Sequence, residues 1–355
     1  MDPTHLIPQA LPIPVEWGWF YLFQMLTFLL HILVMNVMLG SSIIALVHHL
    51  RGKAESEPLT RSISLKLPFT IAFAVNFGVA PLLFIQVLYG QFLYTSSVLM
   101  SVYWISVVGL VILAYGSAYI YDFRYVSLGA LRTIFIAVTT LCLLATAFIY
   151  TNNMTLMLNP LTWAEYFENP WGTILNLGDP TVLPRYLHIV VSSIAVAGLA
   201  LALLYKFTGK NDPTAQRWVK HGVDWYAYST MVQMALGLWF LTALPEHVSS
   251  LLLGGSLPHT LVFATGAILG IFSIASALSY NVVPTAILSL TTIILMLFLR
   301  DLVRDAYLAP YFQVGDRVVT GEYLPLVLFI LTLAAGLCVL AWMLRTAATD
   351  SEVRS

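Results

Sequence analysis

His31 and His188 are the two imidazoles of this sequence that fall well inside long apolar runs, and essentially no Asp, Glu, Lys or Arg lies at similar depth. Titratable side chains inside a bilayer are costly, so where they occur they point to function. One reading of each histidine is a neutral packing residue bonded to a nearby carbonyl or hydroxyl. The other is a ligand. Axial ligation of haem iron calls for a neutral imidazole in apolar surroundings, with its second nitrogen held by a backbone or hydroxyl group. The aromatic and methionine-rich neighbourhoods, without a carboxylate partner, favour the ligand reading. Ser192 and Ser193, about a turn after His188, are candidate acceptors for its second N–H.

A second group of polar residues clusters at one set of span ends: Arg185, Glu246, His247, His259, Arg300, Asp301, Arg304 and Asp305. Arg300 and Arg304 are spaced i, i+4 and share a helix face. Guanidinium groups there would neutralise haem propionates or orient a quinone headgroup; the plain alternative is snorkelling to the interface. Arg185 has the same two readings. His247 and His259 are further candidates for a ligand or a quinol site, and Glu246 for the quinol's proton acceptor. At the opposite ends, His48, His49 and His221 adjoin basic loops and read as solvated residues without a role. The methionines, among them Met25, Met35, Met38, Met231, Met234 and Met296, read as packing, and spacing singles out none as an axial thioether. Cys142 and Cys338 sit in apolar runs and read as inert core thiols. The sequence has no C-x-x-C-H for covalent haem and no C-x-x-C for zinc.

The elements that must position these groups are membrane helices. Hydrophobic residues make up 59% of the 355 and charged residues 9%, against about 25% charged in an ordinary soluble domain; mean hydropathy is +0.85. A net charge of -1 offers no basic patch for nucleic acid. Apolar runs of about 20 residues predict nine spans near 17–47, 68–95, 98–121, 129–152, 183–206, 224–245, 259–279, 282–300 and 324–345. On this count His31 lies about 14 residues into its span, near mid-bilayer at about 1.5 Å per residue, and His188 a turn or two from the outer side. Placing the N-terminus outside puts Arg51, Lys53, Arg61, Lys66, Arg124, Arg132, Lys206, Lys210, Arg217, Lys220, Arg345 and Arg354 inside, and leaves Arg185, Arg300, Arg304 and Arg317 outside. That asymmetry sets the N-terminus outside and the C-terminus cytoplasmic. The first cation is Arg51, so no cationic leader precedes the first span and that span is expected to stay in the membrane. Trp17, Trp19, Trp163 and Trp171 fit interfacial belts. Residues 153–183, rich in Pro, Asn and Trp, form an outer interfacial loop. The expected protein is an all-α integral membrane protein, one domain over 1–355, multi-pass in the cell's inner (cytoplasmic) membrane.

The run His31-Ile-Leu-Val-Met-Asn-Val-Met-Leu-Gly40 resembles the first helix of subunit I of cytochrome bd quinol oxidases, where a haem-ligating His is followed nine residues later by Gly. Ala74-Val-Asn76-Phe77 and Gln86-Val-Leu-Tyr-Gly90 are similar to that family's I-N-F and E-F-Q-F-G segments. Asn169-Pro170, followed by Arg185-Tyr-Leu-His188-Ile-Val-Val-Ser-Ser193, resembles its N-P segment and the helix whose His ligates the low-spin b haem near the quinol site. The likeness is strongest over 16–208. It implies non-covalent haem b, one or two groups, held by His31 and His188, and quinol as the electron donor.

The departures bear on the acceptor. The family's third helix carries two glutamates eight residues apart that serve proton delivery or the oxygen-reducing centre; residues 97–121 here have no carboxylate. Gln86 replaces the glutamate of E-F-Q-F-G. The quinol loop between spans six and seven shrinks to about Pro245–Pro258, and G-R-Q-P-W is absent, with Arg300-Asp-Leu-Val-Arg304-Asp-Ala-Tyr-Leu308 in its general region. The low-spin haem's methionine has no clear counterpart at the start of span seven, where His259 is close by. The resulting expectation is a b-type haem subunit of a membrane complex that takes electrons from quinol at the outer face and passes them to a partner such as a c-type cytochrome. The alternatives are a divergent bd-type terminal oxidase and a haem-free transporter or structural subunit.

Overall fold

The computed structural model describes residues 3–52, 54–209 and 213–353. Lys53, Lys210 and Arg354, three of the cations counted on the inner side, lie outside the described residues. The described residues are helical, with ten α-helices among them: α1 Trp17–Arg51, α2 Glu57–Leu99, α3 Ser101–Phe123, α4 Arg132–Met157, α5 Val182–Thr208, α6 Pro213–Ala243, the short α7 Glu246–Ser250, α8 Leu257–Leu278, α9 Val282–Leu308 and α10 Leu324–Val353. Eight are long and apolar enough to cross a membrane; α6 joins the short helical segment after it across a 119° bend to make a ninth candidate. Hydrocarbon leaves backbone groups no partner but each other, which is why continuous helices carry every crossing. "Outer" below means the end of the bundle where α1 begins.

Close backbone contacts set the arrangement of α1, α5 and α6. A Cβ on Gly40 would lie 1.9 Å from the Ser193 carbonyl oxygen, so α1 and α5 touch there without any intervening side chain. A Cβ on Gly222 would likewise fall 2.5 Å from the Gly198 carbonyl oxygen, pressing α6 onto α5. Lipid chains are as apolar as leucine, so helices in a bilayer gain by close packing at small residues rather than by hydrophobic burial. Beside Gly40, Ser193 Oγ donates to Asn36 Oδ1 at 2.8 Å, with both residues buried. This bond fixes the register of two helices that run in the same direction. His31 and His188 each lie five residues outward from the bonded pair, about 7–8 Å along each axis. The two histidines therefore share one depth. The expected difference between a mid-bilayer His31 and a shallower His188 is not found, because α1 begins further out than α5.

Loops modify three expectations. Trp17, Trp19 and Trp171 are exposed, as interfacial residues should be, but Trp163 is only 2% exposed and donates Nε1–H to the Leu156 carbonyl at 2.9 Å. It closes the end of α4 from within a 3-10 helix, Pro160–Phe167. Cys142 is buried, whereas Cys338 is exposed on α10 and is no core thiol. The leader before α1 pairs with the segment before α10: Ile13 N donates to Val318 O at 2.8 Å and Thr320 N to Ile13 O at 2.9 Å. Tyr323 donates to the Glu16 carboxylate and holds its pKa below the ordinary value. Within the bilayer, Phe329 packs edge-on against Phe23 at 5.0 Å.

Gly40→Val should separate α1 from α5 and destabilise the fold by about 1–3 kcal/mol, the usual cost of overpacking. Thermal unfolding in detergent should show a lower midpoint, while Gly18→Ala, where a Cβ meets nothing within 4 Å, should leave it unchanged or slightly raised.

Candidate functional site

His31 projects from α1 onto α2. Its Nδ1–H donates to the Ala74 carbonyl at 2.9 Å, which fixes the tautomer and leaves Nε2 as the free lone pair. A Cβ on Gly78 would come within 2.9 Å of the ring, so only glycine lets the imidazole lie against α2 here. The Ala74–Phe77 segment thus acts through a carbonyl and through the glycine after it; Asn76 is exposed and bonds only its own helix, at Ala72 O. Phe28, one turn outward from His31, carries the Arg300 guanidinium over its ring at 4.4 Å. Arg300 thereby reaches from α9 towards His31, and it also lies 3.8 Å from Met154 Sδ.

His188 faces the other way, onto α6. A Cβ on Gly237 would sit 3.5 Å from its ring. Its Nδ1 is buried and has no hydrogen-bond partner. The acceptors expected for it are engaged elsewhere: Ser192 Oγ donates to Ile189 O at 2.8 Å, and Ser193 Oγ to Asn36 and Ile189. One turn outward, Arg185 stacks on Phe240 at 4.8 Å while its Nε and Nη2 are buried without partners. Gln233, four residues before Gly237 on the same face of α6, has a buried and unpartnered Oε1. Orphaned buried polar atoms are rare in native proteins and cost free energy unless a ligand or water meets them. Here an imidazole nitrogen, a guanidinium and an amide oxygen are orphaned within about two turns.

The outer ends of α2 and α9 hold a buried charged centre. Asp301 is 1% exposed, with Arg304 Nη2 at 2.7 Å and Arg300 Nη1 at 3.7 Å from its Oδ1. The Arg304 pair is close, yet none of its N–H groups aligns as a hydrogen bond, so the guanidinium keeps unused donor capacity. Arg304 lies 4.2 Å over the Tyr89 ring, and the Tyr89 hydroxyl donates to Asp305 Oδ1 at 2.6 Å. Tyr89 itself leaves helical geometry (φ -131°, ψ 32°), breaking α2, and Arg317 Nη1 bonds the adjoining Leu88 carbonyl at 3.2 Å. Side chains inserted into a helical ladder are a recognised cause of kinks. Plain snorkelling therefore does not describe Arg304, which is 4% exposed and turned inward.

A cavity of about 530 Å³ opens on the outer face between the 158–181 loop, the end of α6 and the end of α9. His247, Tyr307, Tyr311, Asp179 and Glu165 line it, with His247 edge-on to Tyr307 at 6.2 Å. Tyr307 and Asp179 lie within electrostatic reach of Arg185, which ties the cavity to the His188 side. Glu246 is exposed at the start of α7 and is not among the cavity residues; Asp179 and Glu165 supply the carboxylates there. His259 shares a 2.7 Å hydrogen bond with Ser256 at the start of α8. Asp179, Tyr307, Gln233, Gly237 and Gly78 escape a reading that searches for ionisable groups inside spans, because loops and tertiary contacts bring them together.

On the inner side the expectation fails for the histidines. His48 is 6% exposed and its Nε2 lies 2.8 Å from His221 Nε2, while His49 Nε2 lies 2.8 Å from the Tyr121 hydroxyl. They are packed and hydrogen-bonded, His48 buried and His49 and His221 half-buried, instead of free in solvent.

No family model and no curated protein matches the sequence. Among solved structures, the bd oxidase from Geobacillus thermodenitrificans is similar to it at a TM-score of 0.69 and 13% identity, covering 97% of this chain and 98% of that one. The fold is that of a bd oxidase. It extends over essentially the whole chain, well past the part that carries the sequence resemblance.

Replacing Arg304 by Leu should leave the buried Asp301 with only the more distant Arg300, at 3.7 Å, to compensate it, a change that costs up to roughly 3–5 kcal/mol, the range for a buried pair broken on one side. The thermal midpoint should fall clearly, and the double replacement Asp301→Leu/Arg304→Leu should recover most of the loss if the pair interacts as the distances indicate.

Proposed function

We propose that this chain is a haem b-binding, quinol-oxidising membrane subunit of bd-oxidase type. The observation that carries the reading is the buried, unpartnered imidazole nitrogen of His188 beside the unpartnered guanidinium of Arg185. A haem in that position would meet both needs, an axial ligand to iron and a cation for a propionate. His31 fits the same chemistry, with Nδ1 held by a carbonyl and Nε2 left to coordinate. The two rings turn to opposite sides, His31 to α2 and His188 to α6, which suits two separate groups over one shared group. Arg300 and Arg304 supply further cations for carboxylates. Bound haem would contribute one-electron chemistry; the protein contributes spacing, ligation and electrostatics.

Quinol would bind in the outer cavity, its headgroup against Tyr307 and Tyr311. Oxidation of a quinol to a quinone releases two electrons and two protons. His247, Asp179 or Glu165 can accept the protons and release them to the outer solvent over a short path. Arg185 joins this cavity to His188.

For the acceptor there are two readings, each with its own support. The bd-oxidase fold over the full chain favours oxygen. So does the charged centre, since Asp301 and Asp305 on α9 place carboxylates at the outer end of the bundle, whereas the one carboxylate of α3, Asp122, lies at its inner end and is paired with Arg61. The absence of any carboxylate from residues 97–121 favours transfer to a partner such as a c-type cytochrome. Oxygen is the better supported of the two.

Purified protein should contain haem extractable by acid acetone and of b type by pyridine haemochrome. His188→Ala and His31→Ala should each lower the haem-to-protein ratio. Unchanged spectra in both variants would overturn the haem assignment. Supplied with quinol and oxygen, a working oxidase should turn over at about 1–10³ per second. Haem reduction without oxygen uptake, followed by reduction of an added c-type cytochrome, would select the second reading.

A further inference from the structure

The inner end of the bundle holds a cavity of its own, about 570 Å³, at the opposite end from the outer cavity and charged centre, and independent of the haem reading. Its rear wall is a chain of hydrogen bonds. Ser56 Oγ lies 2.9 Å from His48 Nδ1, His48 Nε2 lies 2.8 Å from His221 Nε2, and Trp225 donates Nε1–H to His221 Nε2 at 3.0 Å. The indole is a donor only, so His221 Nε2 is the acceptor; His48 then carries its proton on Nε2 and accepts from Ser56 on Nδ1. This network joins the end of α1, the turn at 54–56 and the start of α6, and it holds the cavity walls at fixed spacing.

The charges around the cavity are unevenly matched. Arg51, Arg217 and Lys220 face Glu55 and Asp224, three cations against two carboxylates. Both carboxylates already have partners: Glu55 is bridged by Arg217, and Asp224 Oδ1 accepts the Tyr280 hydroxyl at 3.1 Å. Lys220 lies over the Tyr280 ring at 5.5 Å, which positions its ammonium without neutralising it. Arg51, at the last position of α1, makes no ion pair among the described residues. A pocket of this size suits a small ligand, and among the described residues its surplus charge is positive.

We propose that this cavity binds a phosphate-bearing anion, held chiefly by Arg51 and Lys220. Arginine and lysine are the side chains that meet phosphate by charge-assisted hydrogen bonds. The cavity lies where α1 ends and α6 begins, at the level of lipid headgroups, so the phosphate can come from an anionic phospholipid or from a soluble phosphate compound.

The test uses the full-length protein in detergent. Native mass spectrometry would compare phosphatidylglycerol with phosphatidylcholine, and calorimetric titration with pyrophosphate would probe the soluble source. Preference for phosphatidylglycerol identifies a lipid headgroup, and saturable pyrophosphate binding without that preference identifies a soluble ligand. In either case Arg51→Gln/Lys220→Gln should weaken binding about tenfold, as loss of two charge-assisted contacts implies. Arg124→Gln, at the same end of the bundle but outside the cavity, should leave binding unchanged. The proposal is overturned if neither probe binds, if the double variant binds as the parent does, or if Arg124→Gln weakens binding equally. Unaltered thermal midpoints in the variants would exclude misfolding as the cause.

Discussion

The contact of α1 with α5 at Gly40, Asn36 and Ser193 governs the rest of the structure. Membrane helices have no hydrophobic drive to associate with one another, so the position of one against the next depends on where small residues allow backbones to meet. The hydrogen bond beside the glycine adds little energy, about 0.6 kcal/mol by analogy with comparable membrane pairs. Its importance is geometric, because it fixes the axial register of two parallel helices. Each helix bears one of the two candidate ligand histidines. Their equal depth, and their divergence towards α2 and α6, follow from that register and from the helical turn between residue 31 and residue 36, and between 188 and 193.

The charged centre at the outer ends of α2 and α9 shows what a low-dielectric interior demands. Asp301 is compensated from two sides by Arg300 and Arg304, and Arg304 gains a further partner in the face of the Tyr89 ring. Bringing Tyr89 to Asp305 breaks α2, and Arg317 from a distant loop bonds a carbonyl at the break. A local defect in one helix is thus supported by residues more than two hundred positions away. Such an arrangement is costly to assemble, and replacing buried ion pairs by apolar residues is often neutral or stabilising. Its presence in an otherwise apolar bundle accords with a functional use of the charges.

The sequence displayed the membrane helices well, because period and run length are local properties; the predicted spans lie along the nine long helices within a few residues in most cases, with longer overhangs on α2 and α6. It displayed His31 and His188 because an imidazole among aliphatic residues stands out. It did not display their surroundings. Gly78 and Gly237 look like any helix glycines until a neighbouring ring is seen against them. Ser192 and Ser193 were reasonable partners for His188 by spacing alone, yet α1 takes Ser193 through Asn36 and the backbone of α5 takes Ser192. His48 and His221 read as solvated because each adjoins basic residues in sequence, and only the meeting of α1 with α6 turns them into a bonded pair. Trp163 illustrates the same point in a loop, where a residue expected at the membrane surface became the plug at the end of α4.

The last helix has a consequence of another kind. Residues 324–343 form the most apolar of the spans, and none of the membrane-crossing stretch is buried within the protein. Phe329 touches the bundle, and the segment before the helix is tied to the N-terminal leader. A helix attached at one end and making few contacts with the rest of its own chain takes its tilt from the thickness of the bilayer more than from that chain. The inclination of α10 should therefore follow lipid composition: steep in a thick membrane, slanted in a thin one. Membrane thickness thereby gains mechanical purchase on the two outer segments that meet at Ile13 and Thr320.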